Sequence, residues 1–279
     1  MNDFVHDRPA LKWRDGAARE ELDHLAVEEP LEIRLGGTRF SVTMRTPGHD
    51  EELVAGFLLT EGFIAHADEI GEIRRVRDRR GHPEPNIVDV ILHVPADALR
   101  KRLKRNLAIS SSCGLCGKTS IDALRLSLEP LEDATLVRPD FLLSLGAEMR
   151  AAQEIFASTG GLHAAALFRV PGIDSLAAGN PPVVVREDIG RHNAVDKVIG
   201  YALAAGMTPL AGTVLMVSGR QSFEIVQKTA AAGIPILAGV SAPSSLSAEL
   251  AEELGITLIG FMREGGFNVY CHAERVITN

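Results

Sequence analysis

The sequence predicts an α/β protein in two parts, an N-terminal α+β subdomain over residues 1–133 and a layered α/β domain over residues 134–279. Two observations lead to this prediction. Short strands with period-two alternation mark the first part, whereas apolar strands and helices alternate in the second, which is typical of a sheet with at least partly parallel strands. The composition changes between them, at the acidic, proline-containing run of residues 129–133.

The N-terminal part begins with a polar stretch, residues 1–27, which we expect to form an extended or partly ordered arm. Apolar and polar residues then alternate on both sides of Gly36-Gly37, and this pattern predicts a β-hairpin with a two-residue turn. A helix is expected over residues 51–60, with Asp50 placed to cap it. The strands predicted in this part cover residues 31–35, 38–44, 73–76 and 87–92.

In the C-terminal part, short apolar runs alternate with segments of helical periodicity. The predicted strands cover residues 164–168, 183–187, 213–217, 234–238 and 257–261. The predicted helices cover residues 139–158, 193–205, 223–232 and 245–254. This alternation predicts a sheet with helices packed against it.

Charge and composition limit the function classes. The formal net charge of −8 argues against a general nucleic-acid binder, which normally carries a surplus of basic residues. No run approaches the roughly 18 apolar residues that cross a membrane, and the first residues lack the apolar core of a secretory signal. Three cysteines are too few for a disulfide framework. We therefore expect a protein of the reducing cytoplasm, with no membrane partner.

Two of the cysteines, Cys113 and Cys116, form a C-x-x-C motif in a loop of small residues. The pKa of a thiol falls near cations, in C-x-x-C motifs and at helix N-termini. This pair has Lys118 beside it, a basic run at residues 100–105 before it and a predicted helix starting near residue 119. The sequence therefore predicts a reactive thiolate. The basic run itself is either a docking surface or a solvated helix face.

Other chemistries are possible for the C-x-x-C motif. A structural zinc site needs four ligands, and only Cys271 and scattered histidines remain to complete one. A dithiol redox site would follow a βαβ pattern directly, whereas this loop follows a charged segment. Both stay open but are less favoured than sulfur or acyl transfer. A phosphate-binding P-loop is excluded, because Ser112 stands where that motif requires glycine.

A second glycine-containing loop, residues 159–165, places His163 at the start of a strand. In zinc deaminases a glutamate that shuttles protons lies two residues after the histidine ligand. Ala165 occupies that position here, so deaminase chemistry is not supported. His163 is therefore either a site residue or an ordinary loop histidine.

The densest polar run, residues 186–197, lies between a strand and a helix, where ligand crevices form in α/β sheets. Backbone donors at the helix start, together with Arg191, His192 and Lys197, would suit a phosphate. Three carboxylates in the run could accept hydrogen bonds from a sugar or base: Glu187, Asp188 and Asp196. The alternative is a helix cap held by salt bridges.

Two further segments repeat this pattern. Arg220 follows the strand predicted to end at residue 217, again before a helix. Near the C-terminus a run offers another arginine, a flexible turn and an aromatic face: Phe261, Met262, Arg263, Glu264, Gly265 and Gly266. Several donor-rich strand ends in one sheet predict a single extended crevice for a large anionic ligand.

Taken together and in this order, these segments resemble the formate dehydrogenase accessory sulfurtransferase family, FdhD, over about residues 30–275. The matching motifs are Pro47-Gly48-His49-Asp50, Gly56-Phe57-Leu58, Glu61-Gly62, Ser112-Cys113-Gly114-Leu115-Cys116-Gly117, Thr159-Gly160-Gly161-Leu162-His163-Ala164-Ala165, Glu187-Asp188-Ile189-Gly190-Arg191-His192-Asn193-Ala194-Val195-Asp196-Lys197, Ser218-Gly219-Arg220 and Phe261-Met262-Arg263. The run at residues 187–197 is the most specific of them.

The resemblance implies a function that spacing alone could not. Such proteins take persulfide sulfur from a cysteine desulfurase. They deliver it to the molybdenum of the bis(molybdopterin guanine dinucleotide) cofactor before this cofactor enters the catalytic subunit of formate dehydrogenase. The persulfide cysteine would be Cys113, with Cys116 assisting, and the cofactor-binding segment would be residues 261–266.

The resemblance also implies a C-terminal domain like that of cytidine deaminases, with three α/β layers, and a homodimer. A guanine nucleotide is expected to mimic part of the cofactor. Two alternative functions follow from the same residues. One is a chaperone that binds the molybdenum cofactor without transferring sulfur, and the other is a zinc-binding C-x-x-C protein.

Overall fold

The computed structural model of the protein describes residues 4–95, 98, 102, 128–172 and 180–277. Within these ranges the chain is a mixed α/β protein with twelve strands and six α-helices. Its strands form three sheets, of two, four and six strands. No helix among the described residues is both long and apolar enough to span a membrane.

The N-terminal arm is more regular than we expected. Strands β1 (Val5–Arg14) and β2 (Ala17–Ala26) pair antiparallel along their whole length. Asp15 and Gly16 connect them with φ angles of 51° and 77°, as a two-residue turn between twisted strands requires. The expectation of an arm that is only extended or partly ordered was wrong, because these strands are mostly solvent-exposed and so lack the burial pattern that usually marks a strand.

The four-stranded sheet lies within residues 1–133, the predicted N-terminal subdomain. It contains β3 (Glu29–Leu35), β4 (Thr38–Arg45), β5 (Ile70–Arg77) and β6 (Pro83–Leu92), in the order β4-β3-β6-β5. The predicted hairpin across Gly36-Gly37 and the two later strands are all present. Helix α1 (Asp50–Thr60) covers one face of the sheet, and a short 3₁₀-helix, Ala67–Glu69, leads into β5.

The six-stranded sheet contains β7 (His163–Arg169), β8 (Val184–Asp188), β9 (Thr213–Val217), β10 (Ile236–Gly239), β11 (Thr257–Arg263) and β12 (Gly266–Cys271). Its order is β12-β11-β10-β9-β7-β8. Strands β9, β10 and β11 are parallel, as predicted, and the outer pairs are antiparallel. Strand β12 was missed: its first residue, Gly266, was interpreted as part of a ligand-binding turn, and no strand was predicted over the residues that follow.

Helices cover both faces of the six-stranded sheet. They are α2 (Pro139–Ala151), α3 (Glu154–Thr159), α4 (Arg191–Ala204), α5 (Phe223–Ala231) and α6 (Ser245–Glu253). Ala164 and Ala166 pack in one core with α2, whereas Ala165 and Leu167 face a second core with α4 and α5. The alternation places successive side chains of β7 on opposite faces, so this part has the expected three layers.

Two predicted helix details were wrong. Asp50 does not cap α1; its carboxylate receives hydrogen bonds from the buried guanidinium of Arg45, with Nε 2.9 Å from Oδ1. The helix predicted over residues 139–158 is two helices, because the backbone N–H groups of Ala152 and Gln153 donate to carbonyls three residues back and end the first helix.

The two parts of the protein share a core at the crossing of α1 and α4. A Cβ atom on Gly56 would lie 1.9 Å from the backbone oxygen of Asp196, and one on Gly200 would lie 1.8 Å from that of Glu52. Only glycine permits the helices to approach this closely. The larger hydrophobic core therefore runs across the predicted domain boundary, from Leu31 of the small sheet to Leu258 of the large one.

A buried polar group lies next to this crossing, and we call it the sealed cluster: Thr60, Glu61, Asp196 and Lys228. Nζ of Lys228 lies 3.0 Å from both carboxylate oxygens of Asp196, 3.0 Å from Glu61 and 2.9 Å from the hydroxyl of Thr60. Asp196 and Lys228 are each 4% exposed or less. The cluster joins helix α1 of the N-terminal subdomain to α4 and α5 of the C-terminal domain.

Candidate functional site

Five strand ends meet at one edge of the six-stranded sheet. His163 begins β7, and because β7 runs antiparallel to β8 and β9, its start lies beside the ends of those strands. Parallel strands β10 and β11 end at the same edge. The topology therefore brings together the glycine loop before His163, the start of α4, the turn after β9 and the end of β11. We call this the cavity edge.

A cavity of about 820 Å³ opens at this edge, against α2 and α3. Its apolar wall includes Leu143, Met149, Leu162 and Met262. Its polar lining is Arg150, Gln153, His163, Ser218, Arg263 and Glu264. Cavities of roughly this size, mostly apolar with a few converging polar groups, are the usual form of a small-molecule or cofactor site.

His163 lies in the cavity lining with three cationic groups near it. Burial is the main cause that lowers the pKa of His163 from 6.5, and the charges of Arg191, His192 and Arg220 lower it further. A Cβ atom on Gly219 would lie 3.3 Å from Nδ1 of His163 and 3.6 Å from Cβ of Arg191, so the absent side chain lets the histidine and arginine approach. Burial and the neighbouring positive charge both disfavour the protonated form of His163, and such an electropositive environment favours an anionic ligand.

Arg191 is the least satisfied member of this group. Its Nε is buried and has no hydrogen-bond partner. Its neighbour His192 is engaged differently, with Nε2 3.0 Å from a carboxylate oxygen of Glu224, while Arg220 is exposed to solvent. Of these three predicted site residues, Arg191 therefore has the clearest capacity to bind a further acceptor.

Lys197 does not face the cavity edge. Its side chain is 1% exposed, and Nζ lies 2.7 Å from Asp188 and 2.9 Å from the backbone oxygen of Thr46. These contacts join α4 to the loop before α1, so Lys197 has a structural role in place of the predicted phosphate contact. It lies six residues after Arg191, about 1.7 helical turns from the accessible start of α4, where the helix is buried.

The three carboxylates predicted to bind a sugar or base are also engaged within the protein. Glu187 accepts hydrogen bonds from the backbone N–H groups of Ile155 and Phe156, at 2.9 and 2.7 Å. Asp188 binds Lys197, and Asp196 belongs to the sealed cluster. The alternative interpretation of this run, a helix start held by salt bridges, fits Asp188 and Asp196, which pair with lysines, but not Glu187, which caps α3.

The C-terminal segment lies partly in the cavity. Met262, Arg263 and Glu264 line it, and Nη1 of Arg263 donates to the backbone oxygens of Val240 and Met262 at 2.6 and 2.9 Å. Phe261 is 44% exposed and adopts a left-handed backbone with φ of 54°, which is rare for an aromatic residue and is a feature of functional sites. Glu264 and Gly265 form the turn after β11, and Gly266 is the first residue of β12.

Sequence reasoning missed the wall formed by α2 and α3. Gln153 lies between the two helices, and the guanidinium carbon of Arg150 lies 4.1 Å from the centre of the Phe156 ring. No glycine or proline marks the helix break at this point. Only the carboxylate of Glu187, brought from β8, shows why a second helix starts here.

The predicted reactive residues Cys113 and Cys116 lie outside the described residues. Cys271 is buried, and burial followed by the nearby Glu252 raises its pKa to about 11, so it is a packing residue and not a nucleophile. Among the described residues, no group of three or more histidine, cysteine, aspartate or glutamate side chains is arranged to hold a metal ion.

Comparison with known proteins identifies the family. The model of the FdhD/NarQ family matches residues 26–277, nearly the whole chain. The chain belongs to the FdhD/NarQ family. The matched region includes both the C-x-x-C motif and every part of the cavity edge.

Relatives in this family are similar over their full length. "Sulfur carrier protein FdhD" of Mycolicibacterium paratuberculosis is 49% identical over 94% of each chain. The protein of the same name from Streptomyces avermitilis is 48% identical over 99% of this chain and 97% of its own. A crystal structure described as a formate dehydrogenase accessory protein from Desulfotalea psychrophila covers 98% of this chain and 100% of its own, with a TM-score of 0.73 and 26% identity.

Proposed function

We propose that this protein is a sulfurtransferase of formate dehydrogenase maturation. It would take persulfide sulfur from a cysteine desulfurase and deliver it to the molybdenum of the bis(molybdopterin guanine dinucleotide) cofactor. The observation that carries the proposal is the similarity to proteins named sulfur carrier, at 48–49% identity over at least 94% of this chain. The C-x-x-C motif supplies the two thiols that the chemistry needs.

The first step is a transfer between thiols. The thiolate of Cys113 attacks the terminal sulfur of the donor's persulfide, a new S–S bond forms at Cys113, and the donor cysteine leaves as a thiolate. No net oxidation occurs in this step. A thiolate near cations performs it faster than a neutral thiol, and the basic run before the motif and Lys118 are such cations.

The second step releases the sulfur in reduced form. The thiolate of Cys116 attacks the inner sulfur of the Cys113 persulfide, a Cys113–Cys116 disulfide forms, and sulfide leaves for the molybdenum. The two cysteines supply the two electrons that reduce the transferred sulfur. A cellular dithiol then reduces the disulfide and restores the protein.

The cavity edge would bind the acceptor substrate. The cofactor carries several phosphates and two guanines, so it needs both cations and a cavity for flat rings. Arg191, His192 and Arg220 supply the cations, with Arg263 and Glu264 in the cavity lining. Phe261 offers an exposed aromatic face, and Gly265 in the turn and Gly266 at the start of β12 lie close to it in the chain. A guanine nucleotide would occupy part of the same site.

The proposal also includes the partners that the chemistry requires. These are a cysteine desulfurase as donor, the catalytic subunit of formate dehydrogenase as recipient of the matured cofactor, and a second copy of this chain in a homodimer. The reaction uses free thiols and a dithiol reductant, which places it in the reducing cytoplasm.

Mass spectrometry after sulfur loading tests the proposal. The protein is incubated with a desulfurase and cysteine, digested under non-reducing conditions, and each cysteine peptide is weighed. We expect one added sulfur atom on the Cys113 peptide and none on that of Cys271. Normal loading of Cys113→Ala would contradict the assignment. Normal formate dehydrogenase activation by Cys113→Ser would favour a cofactor chaperone, and stoichiometric zinc in the purified protein would favour the zinc-binding alternative.

A further inference from the structure

The junction between α2 and α3 carries a buried amide that the fold itself does not use. Gln153 is 4% exposed and lines the cavity. It occupies the capping position of α3, yet its side chain makes no capping hydrogen bond. No other hydrogen bond to this amide is found among the described residues. The amide atoms are not sealed inside the protein but open to the cavity, where a ligand could make the hydrogen bonds that the fold does not.

Glu187 explains why Gln153 is free. The N-terminus of a helix exposes backbone N–H groups that a side chain at the capping position normally accepts. Here the carboxylate of Glu187 reaches from β8 and accepts from Ile155 and Phe156 instead. The side chain of Gln153 is therefore not needed to cap α3, and its amide can bind a group in the cavity.

The surroundings of Gln153 suit a flat ring. Phe156 and Arg150 stack on each other at 4.1 Å in the cavity lining. A guanidinium is planar and can stack on a second ring with its other face. Met149 and Leu162 add apolar surface on the same cavity wall. A planar heterocycle held here would present its edge to polar groups of the cavity.

We propose that the junction of Arg150, Gln153 and Phe156 binds a nitrogen heterocycle through a lactam edge, an N–H group next to a C=O group. The primary amide of Gln153 offers one acceptor and one donor side by side, which match that edge with two hydrogen bonds. The inference rests on the proposed function, because guanine and pterin rings both carry this edge and both occur in the proposed cofactor. The inference gives the ring a partner with both a donor and an acceptor, whereas the cations that would bind the phosphates only donate hydrogen bonds.

The rest of the cavity favours a lactam over an adenine. A glutamine can also form two hydrogen bonds with adenine, so Gln153 alone does not discriminate. Glu264 also lines the cavity, and its carboxylate only accepts hydrogen bonds when ionised. Guanine and pterin offer it an amino group beside the lactam N–H, whereas adenine has no ring N–H on that edge.

Isothermal titration of the full-length protein tests the inference. The probes are guanosine diphosphate, adenosine diphosphate, neopterin and inorganic pyrophosphate. The wild type is expected to bind guanosine diphosphate more tightly than adenosine diphosphate, and Gln153→Leu to weaken guanosine diphosphate binding about tenfold or more, since two hydrogen bonds are lost. Pyrophosphate, which has no ring, should bind both proteins equally. Neopterin shows whether Gln153 binds the pterin or the guanine. The Gln153→Leu variant should lose affinity only for the probe whose ring Gln153 binds.

Two further variants separate binding from folding. Gln153→Glu keeps the size of the side chain but replaces its donor by an acceptor that repels the ring carbonyl, so it should also weaken the ring probe. Gln227→Leu makes the same change at a glutamine that is equally buried and does not line the cavity. It should leave binding unchanged.

Three results would overturn the inference: unchanged ring binding in Gln153→Leu, equal affinity of the wild type for guanosine and adenosine diphosphates, or no binding of either ring probe. Sulfur loading of Cys113 is measured on the same preparations. Normal loading with failed ring selectivity would reject the inference and leave the proposed function standing. If Cys113 failed to load sulfur but Gln153→Leu still weakened binding of the ring probe, the proposed function would be rejected and the inference about the ring site would stand.

Discussion

The sealed cluster and the cavity edge are both rich in polar side chains, but they differ in whether those side chains have partners. In the sealed cluster, Lys228 binds Asp196, Glu61 and Thr60. Burial alone would lower the pKa of Lys228, but the two carboxylates outweigh it and raise this pKa, so the ammonium stays charged. At the cavity edge, Nε of Arg191 and the amide of Gln153 have no such partners.

This difference separates residues that hold the fold from residues that can hold a ligand. Arg191 and Asp196 lie five positions apart on the same helix and in the same motif. Helix geometry places the first at an open end and the second against α1. A dense polar motif therefore contains both kinds of residue. The comparison predicts that substitutions in the sealed cluster change stability, and that those at the cavity edge change binding.

The largest effect is expected from Lys228→Met. It leaves the buried carboxylate of Asp196 without its cation, and breaking a buried pair in this way costs about 3–5 kcal/mol. The free energy of unfolding in urea measures the loss. Arg220→Met, at an exposed cation, is the control and should change it by less than about 0.5 kcal/mol. The double variant Lys228→Met/Asp196→Leu should recover part of the loss. A small loss in the single variant would contradict the cluster's structural role.

Gly200→Ala should also destabilise the protein, by about 3 kcal/mol. Its new methyl group would lie 1.8 Å from the backbone oxygen of Glu52, so α1 and α4 must separate. Gly146→Ala is a matched control, since it is also a helical glycine, and the nearest atom to its new methyl group is 3.9 Å away. The control should be neutral or more stable, because alanine favours helices. Equal effects on the unfolding midpoint would refute the close crossing.

Arg191→Met is expected to weaken pyrophosphate binding about tenfold or more, since hydrogen bonds to charged groups contribute about 1.5–3 kcal/mol. The unfolding free energy should hardly change, because the substitution removes a buried donor that has no partner. Arg186→Met provides the reverse pattern. Its guanidinium binds Glu52 at 2.6 Å, so it should lose stability and keep pyrophosphate affinity. Pyrophosphate affinity is measured by titration calorimetry and stability by urea unfolding, on both variants. If the two variants lost affinity and stability alike, the distinction between Arg191 and Arg186 would be rejected.

Glu52 links stability to acid pH. Burial opposes its ionisation, but hydrogen bonds and charges from Arg186 and His49 outweigh burial and lower its pKa from 4.5 to about 2. Because the folded-state pKa is the lower one, this stabilisation is complete above pH 4.5 and is lost as the pH falls towards 2. We expect about 1 kcal/mol after solvent screening, since the Glu52 side chain is 20% exposed. In a plot of the unfolding midpoint against pH, Glu52→Gln should reduce the slope between pH 4.5 and 2. An unchanged slope in this range would exclude the contribution of Glu52.

The smallest effect concerns His163. An anion at the cavity edge offsets the charges of Arg191, His192 and Arg220, so it should raise the lowered pKa of this histidine. Binding then takes up a proton, and pyrophosphate affinity should rise a few-fold as the pH falls from about 8 to about 5. His163→Gln should remove this part of the pH dependence. Proton uptake, read from binding heats in buffers of different ionisation enthalpy, checks the same point; its absence would place the anion elsewhere.

Local patterns were sufficient for most of the elements. The hairpin across Gly36-Gly37, the helix at α1 and the strands of the large sheet follow from periodicity and turn residues that act within a few positions. The arm was misjudged although Asp15-Gly16 is a strong hairpin turn signal, because its strands bury little. The break between α2 and α3 could not be predicted, because Glu187 caps α3 from a strand about thirty residues away.

By itself, the sequence determined the α/β class, the C-x-x-C motif and the segments that meet at the cavity edge, because strand periodicity, glycine loops and motif spacing depend on neighbouring residues. Only the tertiary structure decided which polar residues remain free to bind. It closed Lys197 and Asp196 into the interior and left Arg191 and Gln153 without partners. The physical reason is that a side chain's capacity to bind depends on the partners it already has, and the partners of these residues come from distant parts of the chain.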